Sequence, residues 1–300
     1  MNRKRKCRFC NKEGEIFLRY ANLRLCQEHF LTYFEKRVEK TLEKFKIKKE
    51  DKIAIAFSGG KDSVSLFHVL FKLGYNILPF FIDLGIPNFS ENSKKVVIAN
   101  CKKVGIDPLI ISISEHYSYS IKELAERYRR NVCSICGLAK RYLMNKIAFE
   151  HRCNYLATAH NLDDEVAFGL KNIFDGNLLQ IVRAGPYMKG NEKLRLVTKI
   201  KPLYKLNETE TKMYCDINGF EYVKEKCPFS VGEKLKIFKE AINLLENNMP
   251  SAKLKFYNSL MKIKKHLSHT ISQEEVKPCS LCKYPTTKET CLFCRIFKKT

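Results

Sequence analysis

Three hundred residues, 45% hydrophobic and 29% charged, suit one large domain with small appendages and exclude a collagen-like, low-complexity or largely disordered chain. Lysine and arginine number 55 against 32 acidic residues, a formal net charge of +23. Part of that surplus is solvated lysine faces, but an excess this large favours a polyanionic partner, nucleic acid first, because neutralised phosphates release counterions.

In chain order, residues 1–35 come first, as a zinc-binding module. Cys7, Cys10, Cys26 and His29 form CxxC then CxxH in a basic segment too short for an apolar core. Three thiolates and one imidazole at this spacing make a closed tetrahedral zinc site, structural and not catalytic. No apolar signal segment precedes Cys7. A helical pattern from Leu31 to Phe45 leads into residues 36–270, a catalytic domain with a C-terminal helical part. Strands are expected at Lys52 to Phe57, Ile77 to Ile82, Leu109 to Ile113 and Tyr155 to Ala159. Between them fall a helix ending at Leu73 and helices at Glu91 to Val104, Ile121 to Arg130 and Leu138 to Glu150, with another at Asp163 to Ile173. Continuous apolar strands separated by helices predict an α/β fold: a parallel sheet with helices on both faces, whose ligands lie beyond the carboxyl ends of the strands. The longest apolar runs are strand-sized, so no membrane span or membrane partner is expected and a cytoplasmic location is. After Gly176 the pattern weakens, and Gly185, Pro186 and Gly190 mark a loop. Helices resume near Glu208 to Ile217 and Glu233 to Glu246. Residues 277–300 form a second zinc module, with Cys279, Cys282, Cys291 and Cys294 as two CxxC pairs and a basic tail.

The segment Ser58-Gly59-Gly60-Lys61-Asp62-Ser63 follows the first strand and opens a helix. The glycines let backbone N–H groups approach an anion and the helix N-terminus adds a favourable dipole. Ser58 and Ser63 add hydroxyls, and Asp62 suits a magnesium ion. Two glycines alone would read as a capped turn; the whole hexapeptide between strand and helix reads as a phosphate site.

Two zinc sets use seven of the 13 cysteines. Of the six left, Cys133 and Cys136 form a further CxxC just before a helix, with Cys227 in a loop-like Lys-Cys-Pro context as the best third partner. Three thiolates suit an iron–sulfur cluster with one iron left open, while a redox pair and a third zinc stay as alternatives. Cys101, Cys153 and Cys215 fall where inert core thiols are expected.

SGGKDS is similar to the PP-loop of the ATP pyrophosphatase superfamily. That likeness implies ATP cleaved between its α and β phosphates, adenylation of a carbonyl oxygen and release of AMP. The nucleotide would lie on Ser58, Gly59, Gly60, Asp62 and Ser63, with adenine near Ile82 and Asp83. The whole order of motifs resembles the TtcA/TtuA family of PP-loop tRNA 2-thiolation enzymes, its TtuA-like branch in particular. It includes the N-terminal CxxC/CxxH, SGGKDS, Cys133-Ser-Ile-Cys136-Gly137, the run from Ala157 through His160-Asn161-Leu162-Asp163-Asp164-Glu165, Lys201-Pro202-Leu203, Cys227 and the terminal CxxC pairs.

The resemblance implies a Rossmann-like HUP fold and a tRNA sulfurtransferase. Cys133, Cys136 and Cys227 would hold an oxygen-sensitive 4Fe–4S cluster that carries sulfur to the adenylated uridine, with Lys140 and Asp164 catalytic. It also implies magnesium and two zinc ions. The partners would be tRNA, a sulfur donor (a thiocarboxylated ubiquitin-like protein or sulfide), and a second copy of the chain if it dimerises. Positions 34 and 54 both have precedent in the family. One departure is visible: the family commonly has Gly before that His, and here Ala159 adds a methyl next to the nucleotide. Two other classes remain. An amide- or lysidine-forming PP-loop ligase would not need Cys133, Cys136 or Cys227, and a non-catalytic zinc-module RNA-binding protein would bind tRNA without forming AMP.

Overall fold

A computed structural model describes residues 6–117, 119–230, 234–271 and 275–298. The outermost residues of the two terminal modules and the predicted helix start at Glu233 lie outside these. The chain opens on a hairpin, β1 (Ile16–Leu18) and β2 (Leu23–Leu25), followed by α1 (Gln27–Lys44). Alternation then sets in: β3 (Ile53–Ala56), α2 (Lys61–Lys72), β4 (Ile77–Asp83), α3 (Phe89–Lys103), β5 (Leu109–Ser112), α4 (Ile113–Tyr117), α5 (Ile121–Arg127), α6 (Val132–Glu150), β6 (Tyr155–Ala157) and α7 (Leu162–Phe174). Next come α8 (Leu178–Arg183), β7 (Tyr187–Met188), β8 (Thr198–Ile200) and α9 (Glu208–Asn218). Two long helices follow, α10 (Lys234–Asn248) and α11 (Ala252–Thr270), then a last hairpin, β9 (Lys277–Pro278) with β10 (Pro285–Thr286), and α12 (Leu292–Phe297).

The main sheet runs β5-β4-β3-β6-β8-β7, parallel except for β7. The weak pattern after Gly176 therefore hides a helix and two strands, not a plain loop. Both are short, and β7 is an edge strand, so neither carries the apolar run that marks a strand buried on two faces. Strand alternation sorts the core. Ile53, Ile55 and Phe57 point into one cluster with α1, α2 and α9, while Ala54, Phe80 and Leu156 point into another with α5, α6 and the C-terminal module. Leu162 and Val166 of α7 pack with Ile242 of α10 and Tyr257 of α11 in a third cluster.

Both terminal modules buttress the central layer. In the C-terminal one, Phe293 stacks on Tyr142 of α6 with ring centroids 3.6 Å apart. From the N-terminal side, the Tyr20 hydroxyl donates to buried Glu210 of α9 at 2.8 Å, and Arg37 of α1 pairs with the same carboxylate at 2.7 Å.

Candidate active site

The six-residue loop closes the carboxyl end of β3 and feeds α2. Gly59 sits at φ +81°, and a Cβ there would stand 3.0 Å from the Ser93 carbonyl oxygen of α3. Val223 N–H donates to the Gly59 carbonyl at 2.9 Å, pinning the loop from its other side. Ser58 and Ser63 hydroxyls lie 3.1 Å apart, and Ser63 Oγ donates to the Gly60 carbonyl at 2.9 Å.

Asp62 has both oxygens engaged. Oδ1 accepts from Asn161 Nδ2 at 3.0 Å and Thr211 Oγ1 at 2.5 Å, and Oδ2 pairs with Lys61 at 3.0 Å. One carboxylate thus ties α2 to the start of α7 and to α9. Lys61 also pairs with Glu208 at 2.8 Å, Glu208 with Lys239 of α10 at 3.2 Å, and Lys239 with Asp164 at 2.6 Å. Burial pushes Glu208 up, but Lys61 and Lys239 outweigh it and hold the carboxyl at about 2.

The acidic run divides its labour. Asp163 is buried against Lys253 at 2.5 Å, and buried Glu165 meets Lys201 at 2.6 Å. Asp164 forms a capping box with Asn161, whose side chain accepts from Asp164 N–H at 3.1 Å while Asp164 Oδ2 accepts from Asn161 N–H at 3.1 Å. It is also the member of the run that faces the cavity.

That cavity, about 660 Å³, is lined by Ser58, Asp62, Lys140, Ala159 and Asp164. An apolar cleft of about 100 Å³ between Ile82, Phe89 and Met144 shares Ser58 and Lys140 with it. A larger groove of about 1030 Å³, between the far end of α6 and the C-terminal module, lies away from the phosphate loop. The cavity wall also holds Arg141, Arg183 and Lys199, which the sequence reading did not single out. His160, beside them, is held below its ordinary value by burial and by Lys201.

The CxxC pair lies inside a helix and not before one. Asn131 caps α6 by accepting from Cys133 N–H at 2.8 Å, so Cys133 and Cys136 occupy its first turns. Cys133 Sγ lies 3.1 Å from the Phe229 carbonyl, two residues beyond Cys227. Burial raises the Cys136 thiol; Lys140 opposes this, and the nearby Cys227 and Cys133 add to it. The three thiols therefore share one neighbourhood with Lys140.

The two terminal Cys/His sets are tighter. Cys7, Cys10, Cys26 and His29 place their ligand atoms within 4.8 Å of one another, as do Cys279, Cys282, Cys291 and Cys294. Sulfur pairs stand at 3.8 Å (Cys10–Cys26) and 3.6 Å (Cys282–Cys291). A tetrahedron with Zn–S bonds of about 2.3 Å has edges of about 3.8 Å, so both sets fit a zinc ion. Against burial, backbone amides led by that of Phe9 bring Cys7 down to about 6, and amides led by that of Cys291 do the same for Cys279. Burial instead raises Cys294 and brings Cys291 up to about 11, so within each set one thiol is favoured as thiolate before a metal arrives. Burial pushes Cys101 and Cys215 up to about 12 and raises Cys153, as inert core thiols require.

Residues 30–228 match the PP-loop domain family, and residues 6–31 match the N-terminal LIM domain of the 2-thiouridine synthetase TtuA. The chain is 40% identical over 293 residues to the tRNA-5-methyluridine(54) 2-sulfurtransferase of Pyrococcus horikoshii, covering 97% of this chain and 93% of the relative. It is 39% identical to the Thermotoga maritima protein of the same name, covering 98% and 96%. Among solved structures, the U34-tRNA thiolase NcsA from Methanococcus maripaludis with its 4Fe–4S cluster superposes with a TM-score of 0.85 at 26% identity, covering 99% of this chain and 97% of that one. With its PP-loop domain, its N-terminal module and relatives matched along nearly all its length, the chain belongs to the TtcA/TtuA family of PP-loop tRNA 2-thiolation enzymes, on the TtuA side.

Proposed function

We propose that this chain is an ATP-dependent tRNA-uridine 2-sulfurtransferase acting on 5-methyluridine 54. The observation that carries the reading is that one helix, α6, brings Cys133 and Cys136 beside Cys227 and puts Lys140 in the wall of the PP-loop cavity. Position 54 is favoured because the relatives near 40% identity bear it in their names, while the position-34 thiolase stands at 26%.

ATP would lie with its phosphates on Ser58 to Ser63 and its adenine in the cleft at Ile82. Asp62 Oδ2, which pairs with Lys61 at 3.0 Å, would exchange that lysine for a magnesium ion arriving with ATP. The uridine 2-oxygen attacks the α-phosphorus, pyrophosphate leaves, and N3 of the ring gives up its proton. Lys140 offsets charge at the phosphorus, and Asp164 keeps Lys239 protonated at the rim. Hydrosulfide then bonds to C2, and the C2–O bond breaks with the oxygen leaving in AMP. The proton brought by sulfur restores N3. A 4Fe–4S cluster on Cys133, Cys136 and Cys227 would supply an iron without a protein ligand, where sulfur can bind. Two zinc ions would hold the terminal modules. No helix among the described residues is long and apolar enough to cross a membrane, and a related 2-thiolation protein from Anopheles gambiae is named cytoplasmic, which supports that location here.

The test is anaerobic incubation with magnesium-ATP, tRNA carrying 5-methyluridine at position 54 but no thiolation, and either sulfide or a thiocarboxylated ubiquitin-like protein, followed by mass spectrometry of nucleosides. Thiolation should appear with one AMP per thionucleoside and vanish when uridine 54 is replaced by cytidine. AMP without thionucleoside would instead point to a ligase, and thiolation confined to position 34 would overturn the site preference.

A further inference from the structure

The PP-loop has its own anion device in loop amides and a helix N-terminus. The same cavity carries a second concentration of positive charge that this device does not use. Lys199 is the middle residue of β8, two strands from β3, hence about 10 Å from the loop's strand. Its register partner Leu156 is buried beneath α6, so Lys199 faces α6, where Arg141 follows Lys140. Arg183 ends α8 on the same wall. Among the described residues, no carboxylate pairs with Arg141, Arg183 or Lys199; the neighbouring Lys201 already has Glu165.

Gly137 supports the arrangement. It sits inside α6, where glycine costs about 1 kcal/mol against alanine, and a Cβ there would stand 3.1 Å from Arg141 Nη1. Its bare backbone leaves room for the guanidinium. Arg141 and Arg183 are exposed and Lys199 is half-buried, so what the cluster lacks is a partner of opposite charge: like charges gathered on one cavity wall repel one another until an anion arrives to share them.

We propose that Arg141, Arg183 and Lys199 form a second phosphate site, which receives a backbone phosphate of the RNA strand beside the target nucleotide. This rests on the thiolation reading of the cavity. Burial, Lys201 and Arg141 push the Lys199 ammonium down to about 8, the state expected of a cation waiting for its anion. Pyrophosphate has the same chemistry, but the loop already offers its donors to the tail of ATP.

The experiment uses the full zinc-loaded chain and measures two affinities without turnover, so that it stands apart from any failure of thiolation itself. One is for a T-arm hairpin RNA across a salt series; the other is for pyrophosphate. Lys199→Met removes a crowded cation at similar volume and should fold; zinc content and urea denaturation check this. Lys199→Met and Arg141→Met should each weaken RNA binding roughly 10-fold. Each should also flatten the slope of log affinity against log salt by about 0.7 to 0.9, one phosphate's worth. Lys199→Arg should restore both. Weakened pyrophosphate binding with RNA binding intact would support the site but assign its phosphate to ATP. If folded variants match wild type for both ligands, or if RNA affinity falls with no change in salt slope, the proposal is wrong.

Discussion

Replacing Gly59 by alanine, and Gly60 by alanine in a parallel variant, separates two glycines that look alike in the sequence. At Gly59 the φ of +81° costs an alanine about 1–2 kcal/mol. Its Cβ would also meet the Ser93 carbonyl oxygen at 3.0 Å and Ser93 Cα at 3.4 Å, which are helix backbone and cannot swing aside. Overpacking of this kind adds about 1–3 kcal/mol. The sum, about 3 kcal/mol, is a large part of the roughly 5–15 kcal/mol that stabilises a domain. Gly60 lies at φ −74°, ψ 157°, and a Cβ there meets only Ser58 Oγ at 3.8 Å. Its alanine loses a little as an N-cap and gains a little in the unfolded state, for a net change within about 1 kcal/mol. Equilibrium urea denaturation of zinc-loaded protein measures both. AMP release should fall at least 100-fold in Gly59→Ala, because the loop amides no longer converge on one anion. Equal destabilisation of the two variants, or greater loss in Gly60→Ala, would refute the packing argument.

The remaining expectations concern charge and metals. Asp62→Ala should abolish AMP formation while tRNA affinity stays near wild type in a filter-binding assay, since the basic surface is untouched. Anaerobic protein should carry two zinc ions per chain by elemental analysis, and Cys279→Ser should lower that count along with solubility. After reconstitution, Cys133→Ala, Cys136→Ala and Cys227→Ala should each lose bound iron but keep zinc and ATP binding, whereas Cys101→Ala and Cys153→Ala should keep the iron. Glu208 has a folded value of about 2 against 4.5 unfolded, so its contribution is complete above about pH 4.5 and is lost as pH falls toward 2. Glu208→Gln should therefore flatten the acid limb of a stability-versus-pH curve and leave the neutral-to-alkaline limb in place.

What could be read from the sequence follows from how strongly each segment's own chemistry is expressed. Ile53–Ala56 and Ile77–Asp83 are buried on both faces, so they read as apolar runs. Thr198–Ile200 puts Lys199 into a cavity and has only three residues to show a period, so the sequence marks no strand there. Nor does it mark Lys199 as a cavity residue. The helix Ala252–Thr270 is rich in lysine and half exposed, and it is stabilised mainly by its packing on α7, which no local pattern records. CxxC and CxxH spacing disclosed the two clustered sets of possible metal ligands because their members are local. Cys227 had to be brought from 91 residues beyond Cys136, and only tertiary structure places the turn Pro228–Ser230 against α6. The acidic triplet announced a helix start but not which carboxylate is buried, which is decided by the distant Lys253, Lys201 and Lys239.

Helix α6 carries several of the residues on which the proposed chemistry rests. Cys133, Cys136, Lys140 and Met144 are spaced by three, four and four residues, which at 3.6 residues per turn forms one stripe. At 1.5 Å per residue, Cys136 and Lys140 are about 6 Å apart along the axis, and Lys140 and Met144 about the same again. A single rigid rod thus sets the spacing between the thiols, the cavity lysine and the wall of the apolar cleft, with no loop between them to blur it. Rotation of that rod is opposed near its middle, where the C-terminal module packs on it. Asn131 caps its start, and Tyr142 is stacked on Phe293 of the C-terminal module. The module's closed cysteine set holds Phe293 in turn, with Cys291 capping α12 by accepting from Cys294 N–H at 3.4 Å. A metal ion held by that cysteine set, with no place of its own in the proposed reaction, would therefore still bear on it through the orientation of α6.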